Sequence, residues 1–359
     1  MKNKTLLFFL PILFFITNCE KYGKHEWENP TIIGINKLPP RAHFTSYESE
    51  LLAIKNDPSR SKNYISLNGK WKFKFSKNIK DKPENFYEMG FNDNDWDKIN
   101  VPGSWELQGW SFPIYLDEEY PFPPDPPFIP HKLNTVGSYK RKINLPQDWL
   151  KKDVFLKFGS VRSACYVWFN GKYIGYSQGS KTPTEFDVTE FVQAGENQVA
   201  VQVYRFSDGS YLEGQDTWRI SGLERDVSIY AREKIRINDF TIHSSLDESY
   251  QKGKFRVDID LLNRLQSPAK ISIRAKLTDP MRRNRIIFDS TKAATIDSLS
   301  NVLFQHEVRR VKPWSAENPY LYKLQIYLIS DNQIIETFFH QVGFRAIEIK
   351  DGKLLLNGT

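Results

Sequence analysis

The chain has 359 residues, of which 40% are hydrophobic and 14% aromatic, with 9 Trp and 20 Pro. That composition suits an aromatic-rich β protein of two or three domains and excludes disordered and coiled-coil classes. The formal charge of +7 is spread along the sequence, and its densest run, Met281-Arg282-Arg283-Asn284-Arg285, falls where a hairpin tip is expected; a nucleic-acid surface needs basic residues gathered on one face, so no nucleic-acid partner is expected.

The chain opens with Lys2 and Lys4, followed by an apolar stretch from Thr5 to Phe15 that is too short to span a bilayer. Ile16-Thr17-Asn18-Cys19 then reads as a loose lipobox. Residues 1–19 are therefore expected to be a lipoprotein signal peptide, with Cys19 acylated after cleavage. The exported protein would be anchored in a bacterial envelope, on its periplasmic or outer face. Cys165 remains, in an alternating run, as a small buried hydrophobe; neither a disulfide framework nor a cysteine zinc site is available.

Residues 20–60 hold Pro30, Pro39, Pro40 and Pro58 and few strand-like runs. They read as an extended arm with one helical turn near Glu48 to Ile54. From residue 61 the pattern becomes short β runs. Trp71, Phe73 and Phe75 share a face, as do Val154, Leu156 and Phe158. Cys165, Val167 and Phe169 lead into Asn170-Gly171, a strong hairpin signal, with Tyr173 to Tyr176 returning. Residues 61–232 are expected to form a jelly-roll sandwich.

A second series occupies residues 233–346. Phe255, Val257, Ile259 and Leu261 alternate, as do Ile271, Ile273, Ala275 and Leu277, and Tyr322, Leu324, Ile326 and Leu328. Roughly seven strands in about a hundred residues predict an immunoglobulin-like sandwich. Ala346 to Leu356 adds one more strand-like run, ending at Asn357-Gly358-Thr359. The fold class is all-β throughout. No long amphipathic helix is legible, and an α/β barrel needs eight.

The segment from Phe206 to Gly222 carries the most chemistry. It joins an alternating strand (Val199, Val201, Val203) to the run Val227 to Tyr230, and holds Asp208, Glu213, Asp216, Gln215, Tyr211, Trp218 and Arg219 among glycines. A plain connection needs only a few turn residues. Aromatic faces stack on sugar rings and carboxylates accept from hydroxyls, so a carbohydrate site is one reading and a salt-bridged structural loop the other. The six histidines include no pair at ligand spacing. Neither a phosphate loop nor a serine-hydrolase elbow occurs.

Several segments together resemble the N-terminal part of glycoside hydrolase family 2, in its bacterial β-galactosidase branch. They begin with Trp27-Glu28-Asn29-Pro30, Ser66-Leu67-Asn68-Gly69-Lys70-Trp71 and Val101-Pro102-Gly103-Ser104-Trp105-Glu106. Gly175-Tyr176-Ser177-Gln178, Ser207-Asp208-Gly209-Ser210-Tyr211 and Trp218-Arg219-Ile220-Ser221-Gly222 continue the series. Pro313-Trp314-Ser315-Ala316-Glu317-Asn318-Pro319 and Val342-Gly343-Phe344-Arg345 complete it.

The resemblance implies a sugar-binding jelly roll and an immunoglobulin-like domain, followed by a barrel whose two glutamates hydrolyse terminal β-D-galactose residues with retention. Their carboxylates stand about 5 Å apart in such enzymes. The family's Asn-Glu acid/base pair occurs nowhere in the sequence. No catalytic residue is therefore assigned, residues 347–359 are read as the start of a truncated barrel, and the chain alone is expected to be inactive.

By the same resemblance, Asp216 holds galactose hydroxyls and helps bind sodium. Asp117 stands where many members place an Asn that touches galactose. Asn29, Gln178 and Asp208 match a structural divalent-ion set, magnesium in the complete enzyme; for each of these carried-over residues, Asp216 and Asp117 included, ordinary loop hydrogen bonding is the alternative account. No cofactor is expected to be required by this chain alone. A complete protein is expected to act on β-galactosides and to self-associate, its Trp27 arm contributing to subunit contacts. A stand-alone carbohydrate-binding surface lipoprotein is the competing reading.

Overall fold

The computed structural model describes residues 23–116, 119–214 and 216–359. Cys19 and the signal segment lie outside the described residues. Two β sandwiches follow one another along the chain.

In the first, a seven-stranded sheet runs in the order Gly34–Ile35, Lys172–Gln178, Ala164–Phe169, Gly195–Tyr204, Val136–Leu145, Gly69–Ser76, Asp97–Val101. A four-stranded sheet of Thr184–Asp187, Asp153–Phe158, Val227–Arg232 and Tyr64–Ser66 faces it. The order is non-sequential, as the long crossovers of a jelly roll require. The residues selected by alternation fill the space between: Trp71, Phe73, Leu156, Phe158, Val167, Phe169, Val201 and Val203 are all buried. Each such side chain stabilises the fold by about 1.5–3 kcal/mol. Phe75 is only partly buried and sets its edge against the Trp105 ring. Cys165 is fully buried, and burial pushes its thiol up to about 12.

The Asn170-Gly171 hairpin forms with φ of 49° and 77° at its two central residues, the paired positive angles of a tight turn that matches strand twist. The Asn170 side chain also donates to Phe191 O and accepts from the Gln198 amide.

The second sandwich has seven strands, three in one sheet (Ile235–Leu246, Gly253–Asn263, Leu299–Val308) and four in the other (Arg285–Ile296, Ala269–Asp279, Tyr322–Ser330, Gln333–Val342). Its core takes Phe255, Val257, Ile259, Ile273, Leu277, Leu324 and Ile326 from the alternating series. The basic run lies at a hairpin tip, with a 3-10 turn at Pro280–Arg282.

Two segments differ from the sequence reading in detail. The arm is more than an extended tail. Gly34–Ile35 adds an outer strand to Lys172–Gln178, Lys37 bridges Phe186, and Tyr47 bridges Thr337 in the second sandwich. Backbone pairing at a sheet edge needs no alternating pattern, so composition could not announce it. The arm's helix is Glu50–Lys55, capped by Ser49 and tied by Tyr327 Oη donating to Glu50. The run at 346–356 is two short antiparallel strands, Ile347–Lys350 and Lys353–Leu356, turned by Asp351-Gly352.

Charged pairs span the junction between the sandwiches. Asp153, fully buried, accepts from Lys234 and Arg236 and lies 3.1 Å from Arg264. Arg232 grips Glu336 through both carboxylate oxygens. Among the described residues no helix is long and apolar enough to cross a membrane.

Candidate functional site

The 206–222 segment is long, but it is not loose. At its entry the Asn134 side chain clamps Phe206, accepting from its N–H and donating to its C=O, both at 2.9 Å. Ser207 and Ser210 then form a reciprocal capping box around the 3-10 turn Asp208–Tyr211. Tyr211 Oη donates to Phe128 O and accepts from the Asp125 amide. At the far end Trp218–Arg219 pairs with Ile114–Tyr115, and Gly222–Leu223 sits between Gly103–Ser104 and Val161–Arg162. Gly222 has φ +122°, and a Cβ there would stand 2.9 Å from Gly103 O. Only glycine fits that close three-strand contact.

This anchoring sets the tip geometry. Asp216, Tyr115 and Trp218 are exposed at one edge. Tyr115 Oη donates to the Asp216 carboxylate, and the Tyr115 and Trp218 rings stand 5.3 Å apart, tilted by 49°. Trp218 is 55% exposed and Tyr115 48%, so both rings are open to solvent at this edge. A carboxylate fixed beside exposed rings can accept from hydroxyls while a ring covers the apolar face of a sugar. The same acceptor-only oxygens suit a hard monovalent or divalent cation. Asp117 lies outside the described residues.

The divalent-ion set is brought together only in part. Asp208 and Gln178 are both nearly buried and lie close enough to interact. Burial pushes the Asp208 carboxyl above its ordinary value and the nearby Glu28 charge adds to that, while Gln178 and the Gly209 amide oppose it. Asp208 Oδ2 is buried without a hydrogen-bond partner, which fits an oxygen-seeking cation. Gln178 Oε1 already accepts from Tyr176 Oη at 2.6 Å. Asn29 does not fit as placed, because its Oδ1 accepts from both the amide and the hydroxyl of Thr31. Among the described residues no three His, Cys, Asp or Glu side chains are grouped closely enough to hold a metal by themselves.

Glu28 is a neighbour of this set that residue spacing alone does not single out. It is buried beside Trp27, accepts from the Ile129 amide and pairs with His131 at 2.9 Å. Its place in Trp27-Glu28-Asn29-Pro30 was the available signal. Glu106, at the end of Val101-Pro102-Gly103-Ser104-Trp105-Glu106, is a second such residue. It is buried, accepts from the Ser221 amide at 2.8 Å, and so fixes the base of the loop.

Two β sandwiches in tandem, the first with a long anchored loop that presents a carboxylate and two aromatic rings, define the class: an all-β protein of two sandwich domains. Comparison with known proteins agrees. A family profile described as "Glycosyl hydrolases family 2, sugar binding domain" matches residues 64–233, and one described as "Glycosyl hydrolases family 2" matches residues 235–345. The chain belongs to glycoside hydrolase family 2, by its N-terminal sugar-binding domain and the domain that follows.

It is 39% identical over 343 residues to a β-galactosidase of Priestia megaterium, covering 94% of this chain and 33% of that protein. It is 36% identical over 355 residues to a β-galactosidase of Photobacterium profundum, covering 93% and 32%. The chain thus spans about a third of the curated relatives it matches. Among solved structures, a Bacteroides uniformis β-glucuronidase superposes with TM-score 0.67 at 20% identity, over 82% of this chain and 34% of that one. A β-glycosidase from Bacteroides vulgatus superposes with TM-score 0.63 at 25% identity, over 82% and 36%.

Proposed function

We propose that this chain is the N-terminal, non-catalytic part of a β-galactosidase, and that its 206–222 loop supplies one wall of the galactose subsite. The observation that carries the proposal is the exposed Asp216 carboxylate, braced by Tyr115 beside Trp218 on a loop fixed by β pairing at its base. A rigidly held acceptor next to exposed rings lowers the ordering cost of binding a polyol. The two-glutamate retaining chemistry belongs to a barrel, and the described residues form sandwiches and a terminal hairpin instead. Asp216 and its neighbours position a sugar; they do not break its bond.

In that setting Asp216 would also hold sodium, and Asp208 with Gln178 would hold magnesium between the arm and the jelly roll. Each ion would neutralise a carboxylate and fix a loop. Export with acylation at Cys19, attachment to the membrane by lipid, and self-association of the complete protein through the arm belong to the same proposal. Mass spectrometry of Cys19 after membrane fractionation tests the anchor.

The experiment for the main reading is a chimera in which these residues replace the matching third of the Priestia megaterium enzyme. The chimera is expected to turn over a chromogenic β-galactoside, and the isolated chain is not. Turnover by the isolated chain, or a folded chimera without activity, contradicts the proposal.

A further inference from the structure

Beneath the loop lies a second built feature, independent of any sugar reading. Three guanidinium groups converge there: Arg162, Arg205 and Arg219, each no more than 6% exposed. They line a cavity of about 10 Å³ together with Ser221 and Glu213, the room that one water or one monatomic ion needs. Much of each arginine is used. Arg162 donates to Trp218 O, Arg205 to Phe112 O and Ser111, and Arg219 to Glu119 O and Gly214 O.

What remains is unpartnered. Arg205 Nε, Arg219 Nε and Ser221 Oγ, on three of the lining residues, are buried and have no hydrogen-bond partner. All three can donate, and the two arginine positions can do nothing else. Glu213 on the cavity wall is already engaged by the amide and hydroxyl of Ser180, both at 2.6 Å. Glu106, which is not on the cavity wall, has its Oε1 3.7 Å from Arg205 Nε, too far for a hydrogen bond, and that oxygen is also without a partner. Three cations against these two carboxylates leave one positive charge in excess.

We infer that this cavity is a site for one monatomic anion, chloride under ordinary conditions, held by Arg205 Nε, Arg219 Nε and Ser221 Oγ. An anion there satisfies three buried donors and neutralises the excess charge at once. A buried donor left unsatisfied costs a folded protein about 1–3 kcal/mol. Burial and the neighbouring Arg162 both disfavour charge on Arg205 and Arg219, which an anion would relieve. Because Arg219 and Ser221 lie in the segment that carries Asp216, the ion would act as a keystone for the loop.

The test compares the full chain in chloride and in gluconate, which is too large for the cavity, at equal ionic strength and pH. The thermal midpoint is expected to rise saturably with chloride alone, and bromide-grown crystals are expected to show an anomalous peak between Arg205 and Arg219. In Ser221→Ala the chloride concentration for half the effect is expected to rise roughly tenfold or more, the loss of one hydrogen bond to a charged acceptor. Its midpoint in gluconate serves as the check on folding. Equal midpoints in both salts, or a water in the cavity of crystals grown in bromide, would overturn the inference.

Discussion

The junction between the sandwiches and the base of the 206–222 loop both bury charge, and they pair it to different extents. At the junction the charged groups meet opposite partners. Asp153 takes Lys234, Arg236 and Arg264, Glu336 takes Arg232, and Glu185 takes Arg41 and Lys157. At the loop base Arg205 Nε and Glu106 Oε1 meet only loosely, at 3.7 Å. Ser104 Oγ, Trp105 Nε1, Glu106 Oε1, Arg205 Nε, Arg219 Nε and Ser221 Oγ are buried there without hydrogen-bond partners, whereas at the junction Arg232 Nε is such an atom. A matched buried network fixes one arrangement of two bodies. Clustered unmatched groups mark a place where something else is received. The two regions have the same β scaffold, so the difference lies in how side chains were placed on it.

Removing the hub of the matched region should have the largest effect. Asp153→Asn leaves three cations facing an uncharged group, and a loss of about 3–5 kcal/mol is expected by denaturant titration. A cost below 1 kcal/mol would show that the junction is held by packing instead.

Gly222→Ala comes next, because it strains the loop base from the backbone side. Its φ and the close Gly103 carbonyl predict a cost of about 1–3 kcal/mol. Hydrogen exchange should show the loss of protection concentrated at Gly103–Ser104 and Val161–Arg162.

The pH response separates the regions more gently. Although burial works against it, Arg41 and Lys157 hold the Glu185 carboxyl below its ordinary 4.5. A lowered folded-state value means stability that is complete above the ordinary value and is lost as pH falls through the folded one. The arm, which Arg41 belongs to, is therefore expected to loosen below pH 4.5, and Glu185→Gln should flatten that acid limb. Smallest in stability is Asp216→Ala, an exposed change expected to stay within about 0.5 kcal/mol.

The sandwiches were legible because burial on one face imposes a period of two. Trp71 and Phe73, Cys165 to Phe169, and Phe255 to Leu261 announce it plainly, and those residues are the core. The Asn170-Gly171 turn was legible because few residue pairs adopt two positive φ angles cheaply. The arm's strand at Gly34–Ile35 was not, since an added edge strand is held by its backbone. The second turn, Asp351-Gly352, has the same chemistry, but the two strands it joins are only four residues each and read as one run.

Within the site, residue types pointed to Asp216 and Trp218, while the Tyr115 brace depended on a strand pairing across about a hundred residues. Asn29 illustrates the limit of transfer by motif. Its neighbours Thr31 and Glu28 decide which side chain faces Asp208, and spacing carries no such information.

The most direct measurement is kcat/KM for a β-galactoside in the chimera with the Priestia megaterium barrel, comparing the parent with Asp216→Ala. The proposed galactose wall predicts a loss of roughly tenfold to a hundredfold, the removal of one or more hydrogen bonds to a charged acceptor, with the folding midpoint unchanged. An Asp216→Ala chimera with undiminished kcat/KM would contradict it.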